Sequence, residues 1–149
     1  MNRMTTLVAG AAGLAERIGT AMRWAGPTVA RLTIGIVFVQ SGWGKLHDLE
    51  KVTGYFTELG IPAPAFQAML ASNTEFFCGG LVLLGLATRF AAVPLIFTMC
   101  VAIRTALWDQ VSGLSTLVGL NEFSYIALLV YLATDGAGPL SLDGLIARS

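Results

Sequence analysis

The chain has 149 residues, of which 55% are hydrophobic and only 12% charged, and its mean hydropathy is +0.72. This composition is too apolar for an ordinary soluble domain and predicts one membrane domain, with the lipid bilayer as its main partner. Nine basic and nine acidic residues cancel, so the chain lacks the excess positive charge with which proteins bind nucleic acid.

The amino-terminal residues predict an amphipathic helix at the membrane surface. Apolar side chains recur at helical spacing from Met4 to Trp24, and the charged residues lie outside that stripe. The alternative is a secretory signal peptide with its apolar core at residues 7–15. Only Arg3 precedes that core, whereas three arginines follow it, and this charge order opposes export. Residues 1–26 are therefore assigned to an amphipathic amino-terminal segment.

Four apolar stretches predict four transmembrane helices within a domain of residues 27–135. The predicted spans are residues 28–46, 66–88, 90–108 and about 114–133. The strongest part of the fourth stretch, residues 123–133, is too short to cross about 30 Å of hydrocarbon, so that helix must reach back to about Leu114. The expected fold class is an all-α membrane protein built as a four-transmembrane-helix bundle.

The connecting segments complete the predicted topology. Residues 48–60 favour a short surface helix, with Asp48 as its N-cap and Gly60 at its end. The glycine- and proline-containing tail, residues 136–149, is expected outside the bilayer. Four spans place both termini on one side, and that side carries more arginines than the side with Lys45 and Lys51. The positive-inside rule then predicts cytoplasmic termini and a periplasmic surface helix.

Ionisable residues inside the predicted spans are the main functional candidates, because they are costly in hydrocarbon and normally face a protein interior. At about 1.5 Å per residue from the cytoplasmic end, Glu75 lies at about 20 Å, Arg104 at about 21 Å and Glu122 at about 17 Å. Lys45 lies slightly higher. We predict that these four side chains meet around one cavity in the outer half of the bundle. The other candidate ligand-binding residues are Gln40, Trp43, Trp108 and Asn121.

The same charges also have a purely architectural interpretation. Buried pairs such as Glu75 with Arg104 or with Lys45 can fix helix register without any chemistry. In a functional interpretation, Glu75 and Glu122 are the candidate catalytic acids. His47, close to the predicted interface, is expected to be a solvated polar residue rather than a proton carrier.

The two cysteines, Cys78 and Cys100, do not belong to a CxxC motif or to a Cys/His spacing typical of metal sites, so no metal ion is predicted. A tight hairpin near Arg89 would bring the two thiols level, but free cysteine is also a common small apolar residue. The sequence leaves open whether they are redox-active. The sequence shows no motif of a hydrolase or of a nucleotide-binding enzyme, so it gives no support to those two classes.

Residues from Arg31 to Asp143 carry a resemblance to a known family. The residues that carry it are Ser41-Gly42, Lys45-Leu46, Gly60-Ile61-Pro62, Glu75, Gly79-Gly80, Gly85, Thr88-Arg89, Asn121-Glu122 and residues 138–143. This pattern resembles the bacterial DoxX family of small membrane proteins. The resemblance implies a four-helix protein of the inner membrane, and a link to quinol oxidation, to thiosulfate:quinone oxidoreduction and to oxidative or sulfur stress. Ala137 interrupts the family's usual tail pattern, and this difference concerns the shape of the loop.

Three functions remain open at this point. In the first, the protein is a quinone-linked oxidoreductase subunit in which Lys45 or Arg104 polarises a carbonyl and Glu75 or Glu122 carries protons. Because the chain has no haem ligand pair or flavin motif, electrons would come from a soluble or membrane redox partner or from the quinone. In the second, the protein is a non-catalytic membrane anchor or assembly partner of a redox enzyme, or a homo-oligomer. In the third, it carries a small polar or aromatic solute.

Overall fold

The computed structural model describes residues 3–148, with side chains from residue 12 onward, and contains no strand within that range. Its helices are α1 (Arg3–Ala21), α2 (Ala25–His47), α3 (Leu49–Glu58), α4 (Pro64–Leu84), α5 (Thr88–Ala102), α6 (Leu114–Val118), α7 (Asn121–Asp135) and α8 (Leu142–Ile146). A π-helical turn, Ile103–Leu107, and a 3₁₀ turn, Trp108–Gln110, continue α5 without a break. The prediction of an all-α protein is confirmed.

Four helices, α2, α4, α5 and α7, pack as a bundle in which each contacts two neighbours. The helix α2 packs against α4 and α7, and α5 packs against the same two helices. Fully buried apolar side chains fill the interior: Ile34, Phe38, Val82, Leu95, Leu129 and Leu132. We call one end of the bundle, at His47, α3 and Gln110, the surface-helix end. The other, at Pro27, the α4–α5 turn and residues 136–148, is the tail end.

By length and composition, one helix in the described part of the chain, Thr88–Gln110, is long and apolar enough to cross a membrane, with a mean hydropathy of 1.9 over an 18-residue stretch. The helices α2 and α4 have 23 and 21 residues, but they carry charged residues, among them Lys45 and Glu75. The helix α7 has only 15 residues. The four-span topology therefore stays a prediction.

Glycines allow α2 and α4 to approach closely. A Cβ atom at Gly42 would lie within 3 Å of the backbone of Phe76, and one at Gly79 would lie 2.7 Å from the Cβ of Phe38. Gly79 thus makes room for a neighbouring helix, as expected from the sequence, whereas Gly80 faces open space. This seam fixes the rotation of the two helices and decides which side chains meet across it.

Two predicted helix boundaries are wrong. The second span ends at Leu84 instead of residue 88, because Gly85 takes a left-handed conformation (φ +70°) that caps α4. The chain turns there, before Arg89. The predicted fourth span is interrupted, because α6 ends at Gly119 and Leu120 is extended (φ −71°, ψ 139°). Asn121 and Glu122 consequently open α7 instead of lying mid-helix.

A short helix, α3, is confirmed where the surface helix was predicted, and its location at the membrane surface stays a prediction. The carboxylate of Asp48 accepts a hydrogen bond from the backbone N–H of Lys51 at 3.3 Å, as expected for an N-cap, and Gly60 (φ +68°) follows the helix end. The helix packs against α4. In α1, Leu14 and Ile18 remain exposed, as expected for an amphipathic helix with an uncovered apolar stripe. The first half of that stripe, residues 4–11, lies outside the described side chains.

Candidate functional site

A buried ion pair between Lys45 and Glu75 lies at the seam of α2 and α4. The Lys45 Nζ donates to Glu75 Oε1 at 2.6 Å, and the Ser41 Oγ donates to Glu75 Oε2 at 2.8 Å. Both carboxylate oxygens are thus satisfied within the chain. The sequence left open whether Arg104 or Lys45 pairs with Glu75, and it missed Ser41, although Ser41 lies one helical turn before Lys45 and so on the same face of α2.

This face of α2 points into the bundle. Phe38 lies one turn before Ser41, and its ring packs against Tyr125 of α7 in an edge-on contact with centroids 6.0 Å apart. Glu75 lies one turn before Gly79, where α4 approaches α2 closely. The ion pair is therefore held by two helices whose rotation the glycine seam fixes.

Exposure differs sharply between the two partners. The Glu75 side chain is 1% exposed, whereas the Lys45 side chain is 33% exposed. An ammonium group carries three N–H donors, and Glu75 uses one of them. Part of the Lys45 side chain is therefore open to the surroundings, whereas Glu75 is enclosed by the bundle. Lys45 and Ser41 together hold the buried carboxylate in place.

Arg104 does not join the ion pair, contrary to expectation. Its side chain is exposed on the π-helical turn, and its guanidinium lies 5.3 Å from the ring centroid of Trp108, which is 51% exposed. No carboxylate in residues 3–148 lies within ion-pair distance of it. The reason is rotational: the buried stripe of this helix runs through Leu95, Met99 and Ile103, and a residue that follows Ile103 by one position is turned about 100° away from it.

Glu122 is not the second buried acid that the sequence suggested. It is half-buried in the first turn of α7, and Asn121 beside it is exposed. A carboxylate in the first turn of a helix is stabilised by the positive end of the helix dipole, by about 0.3–1 kcal/mol. Glu122 therefore needs no basic partner, and it forms no ion pair with a described residue.

The remaining candidates lie on the outer face of α2. Gln40 is exposed and Trp43 is 54% exposed, and their face is roughly opposite to that of Lys45. The Trp43 ring stacks on His47, with centroids 4.2 Å apart, and contacts Phe76 at 5.6 Å. His47 is exposed, and its Nδ1 lies 2.9 Å from the Trp43 carbonyl oxygen. The predicted ligand-binding residues of α2 thus lie on two roughly opposite faces, with Lys45 on one and Gln40 and Trp43 on the other.

A second polar cluster, at the tail end, was not predicted. Arg31 is only 7% exposed, and its guanidinium donates to the Leu83 carbonyl at 3.0 Å and to the Leu140 carbonyl at 2.7 Å. Its Nε has no hydrogen-bond partner in the described structure. Arg31 therefore ties the end of α4 to the tail.

Asp143 completes this tail junction. Its carboxylate accepts hydrogen bonds from the backbone N–H groups of Ala87, at 2.8 Å, and Thr88, at 3.1 Å. Its own backbone N–H donates to the Gly85 carbonyl at 2.8 Å. The tail is consequently a docked part of the fold that caps α5, and not the irregular appendage that its glycines suggested. The start of α8 could have been found from the sequence, because Ser141 stands three residues before Gly144. Ser141 is the N-cap of α8, and its hydroxyl accepts a hydrogen bond from the Gly144 N–H.

Two cavities lie away from the ion pair. One, of about 690 Å³, lies between the start of α5, the end of α7 and the tail. The other, of about 470 Å³, is an apolar groove between α2 and α7 that Tyr131 helps to line. Lys45 and Glu75 line neither. The two thiols are free, with Cys78 half-buried and Cys100 exposed.

Comparison with known proteins gives a family and several relatives. The family model described as DoxX matches residues 26–108. The chain is 36% identical to the uncharacterised membrane protein Rv3486 of Mycobacterium tuberculosis over 129 residues, which cover 79% of each chain. It is 32% identical to CatD of Bacillus subtilis, which is named provisionally as an oxidoreductase, over 83% of this chain and 88% of that one.

A further relative is the inner membrane protein YqjF of Escherichia coli, which is 29% identical over 83% of this chain and 93% of its own length. No solved structure gives a significant match. The matched model spans more than half of the 149 residues, including the helices that hold the ion pair, and the relatives are matched over most of their length. The chain therefore belongs to the DoxX family and is a bacterial inner-membrane protein.

Proposed function

We propose that this protein is a quinone-linked redox subunit, in which Lys45 binds a carbonyl oxygen of the quinone at the surface-helix end of the bundle. The observation that carries the proposal is the unequal exposure of the ion pair, since a lysine side chain that is 33% exposed is held by a glutamate side chain that is 1% exposed. Burying such a pair is costly, and ionisable residues at membrane depth usually serve a function. The provisional name of CatD is consistent with redox chemistry.

The residues present fit a quinone through their donor chemistry. A quinone offers carbonyl acceptors, and Lys45 has N–H donors that Glu75 does not use. When bound, a quinone accepts two electrons, supplied by the redox centre of a partner protein, and two protons. Lys45 orients the carbonyl, Glu75 supplies the counter-charge that fixes Lys45, and the Ser41 hydroxyl orients the Glu75 carboxylate.

The proposal keeps the predicted topology, with four spans and cytoplasmic termini. Charge asymmetry supports it, because Arg89 and Arg148 lie at the tail end whereas Lys51 lies at the surface-helix end. Cysteines introduced at Glu50 and Glu58 of α3 should react with an impermeant thiol reagent added to the periplasmic side. Labelling only from the cytoplasmic side would reverse the orientation.

Binding of a short-chain quinone to the purified protein, measured by calorimetry, tests the function. Glu75→Gln keeps the shape but removes the counter-charge, and Lys45→Met removes the donor. Each should weaken binding at least tenfold while leaving the helical content and the gel-filtration profile unchanged. Lys51→Met, an exposed lysine on α3, is the matched control and should bind normally. Full quinone binding by a folded Glu75→Gln protein would refute the redox proposal.

A second function, membrane anchor for a redox enzyme, is favoured by a different observation. Both oxygens of Glu75 are satisfied inside the chain, and the two cavities described above lie elsewhere. An anchor predicts that a partner protein co-purifies in mild detergent and is retained by Glu75→Gln. A redox subunit that binds quinone predicts co-purifying quinone that is lost in the same variant.

A further inference from the structure

The cleft of about 690 Å³ at the tail end has the size of a small-ligand site. It is bounded by the first turn of α5, by the end of α7 and by the tail through α8. It lies at the opposite end of the bundle from Lys45, so its role is independent of the proposed function. The lining of the cleft includes charged residues of both signs together with Phe90.

Two guanidinium groups in the cleft are available to an anion. Arg89 lies across the end of α7, where a Cβ on Gly136 would be 3.3 Å from its Nε, and it makes one long hydrogen bond, of 3.5 Å, to the Asp135 carbonyl. Arg148 lines the cleft from the tail. Neither arginine forms an ion pair with any residue that the structure describes. Arginine binds phosphate through parallel N–H donors, and two arginines on one cleft favour such an anion.

The two carboxylates of the cleft differ in availability. Asp143 is already used by the backbone N–H groups of Ala87 and Thr88. Asp135 is exposed at the end of α7, and its carboxylate has no hydrogen bond or ion pair with the described residues. The cleft thus offers two cationic groups and one anionic group, which complements a ligand that carries both a phosphate and an ammonium.

The surroundings of the cleft indicate where such a ligand comes from. Phe90 is 82% exposed, and it belongs to the first turn of the apolar helix Thr88–Gln110. On the tail side, Leu145 of α8 is 60% exposed. In an inner-membrane protein, a charged cleft that meets an exposed apolar surface lies at the depth of the lipid headgroups. A ligand bound here would have its apolar part beside Phe90.

We propose that this cleft binds the headgroup of a phospholipid that carries a primary amine, with its phosphate on Arg89 and Arg148 and its ammonium on Asp135. The lipid chains lie against Phe90 and continue along α5. Such a lipid links α5, α7 and the tail from outside, in addition to the hydrogen bonds of Asp143.

Native mass spectrometry of the full chain in mild detergent tests this proposal, with phosphatidylethanolamine and phosphatidylglycerol as the added lipids. Phosphatidylethanolamine should bind at least fivefold better than phosphatidylglycerol, which has no amine. Arg89→Gln and Arg148→Gln should each lower binding of both lipids at least threefold. Asp135→Asn should lower binding of phosphatidylethanolamine to the level of phosphatidylglycerol and leave the latter unchanged.

Arg17→Gln is the matched control, because Arg17 is an exposed arginine of α1 that does not line the cleft. It should bind both lipids as the unmodified protein does. Glycerophosphoethanolamine, the same headgroup without acyl chains, should not compete. Equal binding of the two lipids, unchanged binding in both arginine variants, or competition by the free headgroup would each overturn the proposal. Because Arg148 is exposed, its variant tests the site even if Arg89→Gln misfolds.

Discussion

The two ends of the bundle bury a charge in different ways. At the surface-helix end, Glu75 is neutralised by Lys45 and accepts a second hydrogen bond from Ser41. At the tail end, Arg31 has no carboxylate within ion-pair distance in the described structure, and its two terminal nitrogens donate to the carbonyl oxygens of Leu83 and Leu140. The ion pair of Glu75 needs two adjacent helices. The hydrogen bonds of Arg31 need the carboxyl end of α4 and a tail residue, Leu140, that is 109 positions away in sequence.

This difference distinguishes a partly exposed charge, Lys45, which a ligand could contact, from a buried charge, Arg31, which holds the fold together. Lys45 keeps donors and exposed surface that a ligand could use. Arg31 is only 7% exposed and both of its terminal nitrogens are engaged, so it is better suited to holding the tail against α4. The following predictions test this comparison, in order of decreasing effect.

The largest effect is expected for Glu75→Ala, which leaves Lys45 without its counter-charge. Breaking a buried ion pair typically costs about 3–5 kcal/mol, and the partial exposure of Lys45 favours the lower value. The free energy of unfolding in detergent, from denaturant titration, measures it. The double variant Lys45→Met with Glu75→Leu should recover most of the loss, because replacing both partners by apolar groups is often neutral. A stable single variant would mean that water or lipid already satisfies Lys45.

Arg31→Met should cost about 2 kcal/mol, because two hydrogen bonds from a charged donor are lost while the apolar side-chain volume is kept. The tail should also detach, which increases proteolysis near Leu140. The matched control is Arg17→Met on the exposed surface of α1, for which both readouts should remain normal. Normal resistance to protease in the Arg31 variant would show that Asp143 alone holds the tail.

Asp143→Ala should cost about 1 kcal/mol, the usual loss when a helix N-cap is removed. Asp143→Asn retains one acceptor oxygen and should lose less. Thermal unfolding in detergent distinguishes the two, with Asp109→Ala as a control in an exposed position. Equal losses in the two Asp143 variants would indicate that the negative charge matters more than the hydrogen-bond acceptors.

The smallest effect is expected for Arg104→Gln. Only an exposed cation–π contact with Trp108 is lost, so the free energy of unfolding should change by about 0.5 kcal/mol or less. The same unfolding assay measures it. A loss of 2 kcal/mol or more would show that Arg104 has a buried acidic partner, as the sequence first suggested.

The sequence by itself determined that the chain is helical, that a short helix follows Asp48, and that Glu75 is an acid within an apolar stretch. These features depend on local patterns, namely apolar runs, helical periodicity and a single carboxylate within an apolar stretch. The family resemblance, drawn from motifs such as Lys45-Leu46 and Gly79-Gly80, also came from sequence and is confirmed by the family match.

Only the tertiary structure decided which base meets Glu75. Residue counting gives the depth of a side chain within about one residue's rise, so Lys45 and Arg104 were equally good candidates. Each residue turns the side-chain direction by about 100°, and the rotation of a helix is set by its packing. Here the close contact at Gly42 and Gly79 turns Lys45 inward, while Arg104 lies one residue beyond the buried Ile103 and stays exposed.

The tail junction was beyond sequence reasoning for a related reason. Its bonds join Arg31 to Leu140 and Asp143 to Ala87, residues that are 109 and 56 positions apart. No local periodicity records such pairs, because they form only after α2, α4 and α5 have packed. Local patterns therefore determine where each helix lies along the chain, whereas packing determines the rotation of the helices and so which charges meet.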